Sequence, residues 1–188
     1  MGTDPLLHLI RDMRLEEAVA ELRAKPGAMD RTAVAAMARE WEQEAESLRA
    51  RGETGEARCR VHRARALRGL LAHGPDPRRL VAEVDLPEGY RGKIVLVLVR
   101  GGGFEGTVCL RSGDGWHREI LNNARAELQD LGFPSAEAYP LGGAYAGFDA
   151  DGRIVIWGSS DEFGCCDKEL AAEMIGRAYP GRGVVVED

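Results

Sequence analysis

Two stretches of this 188-residue chain carry groups suited to holding a small anion. The first is Arg111-Ser112-Gly113-Asp114-Gly115-Trp116-His117, which runs from a strand end through a glycine turn into a helix. Ser112 or Asp114 is the expected N-cap, which puts His117 in the first helical turn. Unpaired backbone N–H groups and the positive end of the helix dipole attract phosphate there. They also favour the neutral imidazole, the form able to act as a base or nucleophile. The second stretch, Gly158-Ser159-Ser160-Asp161-Glu162-Phe163-Gly164, leads from a strand into the last helix. Successive N–H groups in such a turn form a concave anion nest, and the hydroxyls of Ser159 and Ser160 add donors. Either stretch alone is ordinary strand-to-helix punctuation; their joint presence is what suggests a site.

Other reactive side chains read as structural. Cys165-Cys166 falls in the expected first turn of the last helix, where the dipole favours a thiolate. No local base or arginine-bracketed phosphate loop accompanies the pair, so both read as plain thiols. Cys59 and Cys109 are scattered, with no CxxC spacing and no histidine cluster nearby. Neither a disulfide framework nor a zinc site follows, and all four cysteines read as reduced. Gly101-Gly102-Gly103 matches neither the P-loop nor the dinucleotide fingerprint and reads as a linker. His8, His62 and His73 sit on helix faces without ligand spacing, while Trp116 and Trp157 read as core or pocket wall.

The elements that must position these groups divide by composition. Residues 1–79 hold almost nothing strand-like. Asp4-Pro5 starts a helix with Leu6, Leu9, Ile10 and Met13 on one face, and a break or continuation near Arg14 leads to a stop at Pro26-Gly27. Asp30 or Thr32 caps a second long helix reaching about Ala50, and a third runs from about Thr54 to His73. The expectation is a helical hairpin or three-helix layer. Its arginine-rich last helix resembles the second helix of a tetratricopeptide repeat, in a single unit. The exposed faces offer docking for a protein partner or for a second copy of the chain, with an ordinary solvated face as the plainer reading.

Pro75-Asp76-Pro77 is the joint, after which residues 80–188 form a second region. LVAEVDL, KIVLVLV, FEGTVCLR, AEAYPLGG, RIVIWG and GVVVED read as strands; WHREILNNARAELQDLG and DKELAAEMIGRAY read as amphipathic helices. The expected fold is therefore an α+β sandwich around one mixed sheet, preceded by the all-helical region.

Composition bounds the function. The 20.5 kDa chain is 44% apolar and 30% charged, a globular balance. A net charge of −6 repels nucleic acid and anionic membranes, so neither is an expected partner and any anion site is local. No run approaches the ~18 apolar residues of a membrane span, and the first residues lack a signal-peptide pattern, which makes a cytoplasmic protein the expectation.

Read in order, the chain presents K-x-V-L-x-V from Lys93 to Val99, then Arg111, and W-H-x-E-I around His117. L-G-G follows at Leu141 to Gly143, then R-I-x-I-W-G-S-S-x-x-F-G from Arg153 to Gly164, a helix, and A-Y-P-G. This order resembles the phosphohistidine phosphatase family, also called the Janus family, from about Leu80 to Val186. The resemblance implies a mixed sheet with a helix on each side. It implies that His117 is catalytic, that Lys93 and Arg111 bind phosphate, and that the backbone of Ser160, Asp161, Glu162, Phe163 and Gly164 cradles it, beside the Ser159 hydroxyl read above. Asp161 and Glu162 stand where the family usually has uncharged residues, and their side chains are expected to face outward.

Hydrolysis of a phosphoramidate P–N bond needs charge stabilisation on the phosphoryl oxygens, an in-line nucleophile and protonation of the leaving nitrogen. Backbone donors with Lys93 and Arg111 would meet the first need. His117 would meet the second, by attacking phosphorus itself or by taking a proton from water. No cofactor and no metal are called for. The expected activity is removal of phosphate from phosphohistidine, with phospholysine as a second substrate, in proteins or small phosphoramidates. The alternative is a non-catalytic module that senses phosphate or binds protein through its N-terminal helices.

Overall fold

In the computed structural model, which describes residues 4–187, aspartate side chains cap α-helices that begin after Asp4, Asp30 and Asp167. The Asp4 carboxylate accepts the Leu6 N–H at 3.0 Å ahead of α1 (Pro5–Arg11). Met13, with φ 53°, separates α1 from α2 (Leu15–Ala24), so the chain breaks there rather than continuing. Of the two caps considered for the next helix, Asp30 is the one used: it accepts the Ala33 N–H at 2.9 Å at the start of α3 (Arg31–Ala50). The helix expected from Thr54 to His73 is α4 (Thr54–His73), closed by Gly74 with φ 73°.

α3 and α4 form a hairpin whose inner stripe includes Val34, Met37, Ala38 and Ala45 facing Ala57, Ala64, Leu67 and Leu70. Arg60–Glu44 at 2.7 Å and Arg68–Glu42 at 2.9 Å lace its surface. Exposed pairs of this kind each contribute about 0–1 kcal/mol, so the buried stripe carries the hairpin. Backbone closely approaches α4 at Gly69. A Cβ there would lie 2.2 Å from the carbonyl oxygen of Arg79, in the short 3-10 turn Pro77–Arg79.

These helices belong to one of two units. The first consists of the chain up to Ala82 with Gly101–Phe104 and Glu127–Ala136. The second consists of Glu83–Arg100, Glu105–Ala126 and the chain from Glu137 onward. Two expectations are corrected within the first unit. Most of LVAEVDL is not strand: Leu80 and Val81 are buried in the helical unit, leaving Val84–Asp85 as the strand β1. Nor is the triple glycine a slack linker. All three residues take left-handed φ values of 76°, 56° and 86°, and they lead into Phe104, which meets Phe133 edge-on at 5.0 Å.

The second unit is built on a six-stranded sheet in the order β1-β3-β2-β4-β5-β6. The remaining strands are β2 (Arg91–Arg100), β3 (Thr107–Gly113), β4 (Glu137–Phe148), β5 (Ile154–Trp157) and β6 (Val184–Val186). β1–β3 and β5–β6 are parallel and the other three pairings antiparallel, so the sheet is mixed. One face presents Ile94, Leu96, Leu110, Ala144, Ala146, Ile154 and Ile156 to Ala171, Met174 and Ile175 of α6 (Lys168–Ala178). The other face meets α5 (His117–Asp130): a Cβ on Gly113 would lie 3.0 Å from Ile120 Cγ1. The fold is α+β, with the helical region preceding the sheet.

Gly69→Ala is expected to destabilise the protein by about 2 kcal/mol or more, because the added methyl meets fixed backbone rather than a yielding side chain. Thermal or denaturant unfolding measures it.

Candidate functional site

Six polar or charged residues are buried among the described residues, and four of them, Arg111, Ser112, His117 and Ser160, lie in the second unit. Burying such groups is costly unless they find partners, so the partners define the site.

Trp116 immediately precedes α5 and acts as its N-cap. Its carbonyl accepts the N–H groups of Glu119 (2.9 Å) and Ile120 (3.1 Å), and its own N–H donates to Glu119 Oε2 at 2.6 Å. That back-reach of a glutamate in the first turn is half of a capping box. The expected caps, Ser112 and Asp114, are not used: Ser112 lies in β3, and its hydroxyl donates to the Asp85 carbonyl at 2.8 Å. The Glu119 carboxylate thereby sits at the positive end of the helix, in the field that sequence reasoning reserved for phosphate.

His117 is the first residue of α5 and is 6% exposed. Its Nε2 lies 3.2 Å from the Ala144 carbonyl oxygen. A carbonyl only accepts, so Nε2 is the donor in this contact and Nδ1 is the basic nitrogen of the neutral ring. Tyr145 meets the imidazole edge-on, with centroids 5.8 Å apart.

The strand beneath the ring is re-aimed by a bulge. Pairing of β2 with β4 passes from Val95 opposite Gly143 to Val97 opposite Pro140, which leaves one extra residue on β4 around Leu141-Gly142. Beyond the bulge, alternation sets Gly143, Tyr145 and Gly147 on one face. A Cβ on Gly143 would fall 2.6 Å from His117 Cδ2, 2.9 Å from Nε2 and 2.9 Å from Ser160 Cβ. The imidazole and Ser160, 43 positions apart in the chain, thus meet over a residue with no side chain. Main-chain bonds hold the loop to this point: the Gly143 N–H donates to the Gly164 carbonyl (3.0 Å), and the Cys166 N–H donates to the Gly143 carbonyl (3.2 Å).

The loop is folded on itself. The Glu162 and Phe163 N–H groups converge on Ser160 Oγ at 3.3 and 3.1 Å, while Ser160 and Gly164 exchange both main-chain bonds at 3.3 and 2.9 Å. Four of the N–H groups expected to face an anion are therefore directed inside the loop. Ser159, Asp161 and Glu162 are exposed, Phe163 is half-buried, and Gly164 has φ 74°. Glu162 pairs with Arg118 of α5, the residue that follows His117.

The sheet register carries the same face sideways. Lys93 lies between Gly113 and Tyr145, and Val95 lies between Arg111 and Gly143. Lys93 Nζ stands 5.2 Å from the Trp116 ring and 6.0 Å from the Tyr145 ring. Tyr145 stacks on Trp157 at 5.9 Å, and the Arg91 guanidinium covers Trp157 at 4.7 Å. The structure thus gathers His117, Ser160 and, through Tyr145, Lys93. Arg111 is two strands from Gly143, roughly 10 Å at the strand spacing; it is buried, and its NH1 donates to the Leu110 carbonyl at 3.0 Å.

Sequence reasoning missed Tyr145, Glu119, Arg118 and Arg91. The period-two pattern Gly143-x-Tyr145-x-Gly147 signals the first, and Trp116-x-x-Glu119 is a cap-and-reach spacing that signals the second. Arg118 and Arg91 leave no local signal, because their partners come from another element. Trp157 is half-buried and stacked on Tyr145, whereas Trp116 is 72% exposed and belongs to no core.

Cys165 and Cys166 precede α6 instead of lying in its first turn; Asp167 is the cap, accepting the Leu170 N–H at 3.0 Å. All four cysteines are free. Burial pushes the Cys166 thiol up to about 11, whereas Cys165 is exposed.

Two outcomes follow from this geometry. Gly143→Ala is expected to cost about 1–3 kcal/mol in thermal unfolding, since neither a buried imidazole nor a Cβ yields easily. Alkylation at pH 8, read by mass spectrometry, is expected to label Cys165 and spare Cys166, whose protection fades only as pH rises toward about 11.

No curated protein matches the chain. A family model described as the Janus/Ocnus family matches residues 79–182, which hold β1 to β5, α5, α6 and every residue of the site, and the chain belongs to the Janus/Ocnus family.

Proposed function

We propose that this protein hydrolyses phosphoramidate bonds, phosphohistidine first and phospholysine second, with His117 as general base or nucleophile. The observation that carries this reading is the meeting of the buried His117 ring with Ser160 over the bare backbone of Gly143, inside a family match. Nε2 is occupied by the Ala144 carbonyl, so Nδ1 is the nitrogen left to do chemistry. In the base route Nδ1 takes a proton from water, the water oxygen bonds to phosphorus, the P–N bond breaks, and the leaving nitrogen takes that proton from Nδ1. In the nucleophile route Nδ1 bonds to phosphorus as the substrate P–N bond breaks and the leaving nitrogen takes a proton from solvent. Water then bonds to phosphorus, the bond from Nδ1 to phosphorus breaks, and phosphate leaves. Lys93 supplies a cation beside the same ring cluster. The Glu162 and Phe163 N–H groups already converge on an oxygen, Ser160 Oγ, which a phosphoryl oxygen would replace. Arg111 contributes to the positive field on this sheet face.

The compartment that fits is the cytoplasm. No helix among the described residues is long and apolar enough to cross a membrane, and four free thiols suit a reducing environment.

The second reading, a phosphate sensor without turnover, is favoured by two observations: the Glu119 carboxylate at the α5 N-terminus and the internally bonded loop. Purified protein assayed on phosphohistidine and on phosphoramidate with a chelator present decides between them. The expected result is turnover that His117→Ala lowers by about 10²–10⁴-fold while circular dichroism stays native. Undiminished turnover by that variant would falsify the catalytic reading, and phosphate binding with no turnover would establish the sensor.

A further inference from the structure

Trp116 is the most exposed of the large apolar side chains among the described residues, at 72%. Its backbone is nonetheless tightly held, by the Glu119 carboxylate on its N–H and by two helical N–H groups on its carbonyl. An indole kept in water on a rigid mount offers a flat apolar face at low cost in conformational entropy.

Its position says which partner. Lys93 Nζ lies 5.2 Å from the Trp116 ring and 6.0 Å from the Tyr145 ring, and Tyr145 meets the His117 imidazole at 5.8 Å. His117 is buried, Tyr145 and Lys93 are half-buried, and Trp116 is exposed. With a phosphoryl group held by His117 and Lys93, the exposed indole beside Lys93 would be the ring within reach of the leaving group. An imidazole leaving group presents a flat ring, cationic once protonated, and both properties favour an indole face. The ammonia of simple phosphoramidate and the alkyl chain of phospholysine present no ring.

Resting on the phosphohydrolase reading, we infer that Trp116 stacks on the substrate imidazole and selects phosphohistidine over phosphoramidates that lack a ring. Trp116 forms and breaks no bond in this step; the P–N bond is cleaved as above, and the indole acts on the leaving ring alone.

The test compares kcat/KM on phosphohistidine with kcat/KM on phosphoramidate for wild type, Trp116→Ala and Trp116→Phe. The expected result is a ratio lowered by about ten-fold or more in Trp116→Ala and largely kept in Trp116→Phe. An unchanged ratio overturns the inference. Equal losses on both substrates do the same, since they would mean that Trp116 only places Lys93 or His117. Calorimetric titration with a phosphoryltriazole analogue, which has the ring but no labile P–N bond, separates this inference from the reading beneath it. If wild type hydrolyses nothing yet binds the analogue, and Trp116→Ala weakens binding about ten-fold, the phosphohydrolase reading fails and ring recognition stands. If hydrolysis is robust while Trp116→Ala alters neither ratio nor analogue affinity, ring recognition alone is wrong.

Discussion

The site depends on the absence of a side chain at Gly143. His117 and Ser160 both come within 2.9 Å of the point a Cβ would occupy there, so the helix start, the strand and the loop share one position that only hydrogen can fill. Main-chain bonds reinforce the same point. Gly143 donates to Gly164 and accepts from Cys166, and the next carbonyl, Ala144, holds the imidazole. The bulge around Leu141-Gly142 turns the strand so that Gly143, rather than a neighbour, lies under the ring. Packed interiors leave few voids, so a backbone exposed in this way transmits the position of each element to the other two.

Charge at the site is arranged locally and against the whole. The chain carries −6, yet Lys93, Arg91 and Arg111 all lie on the sheet face that α5 covers in part. Two of these cations are seated on aromatic faces, where the ring quadrupole holds them without neutralising them. Among the nearby acids, Glu162 is paired with Arg118, and Glu119 is occupied by the Trp116 N–H. The carboxylates are thus engaged in fixing backbone and loop, while the cations remain oriented by rings.

The two units are stabilised differently. The helical unit relies on carboxylate caps, an aliphatic stripe and one aromatic pair, with surface ion pairs adding little. The sheet unit relies on an aliphatic face against α6 and on polar groups kept dry by specific partners on the other face. α5 contributes to both: His117 opens it in the sheet unit, and its last residues lie in the helical unit, where Asp130 bonds Arg63 and buried Glu127 faces His62 at 3.8 Å. His62 is therefore no mere helix-face residue, a fact invisible from α4 alone because its partner is 65 positions away.

Local patterns determined much of this protein by themselves. Apolar periodicity placed α3, α4, α5 and α6 within a few residues, because the burial of one helix face is written in local spacing. Continuous β-branched runs placed β2, β5 and β6, since a strand buried in a sheet must be apolar throughout. The ordered motifs around Lys93, Arg111, His117 and Ser160 pointed to the family, since residue type and order survive without coordinates. Tertiary structure alone decided that Trp116 caps α5 and points into water, that Gly143 is the seat of the imidazole, that the Ser160 loop spends its N–H groups on itself, and that Arg111 stands two strands away. Each of these rests on groups far apart in sequence competing for one space or one hydrogen bond, and such competition has no period and no spacing to read until the chain has folded.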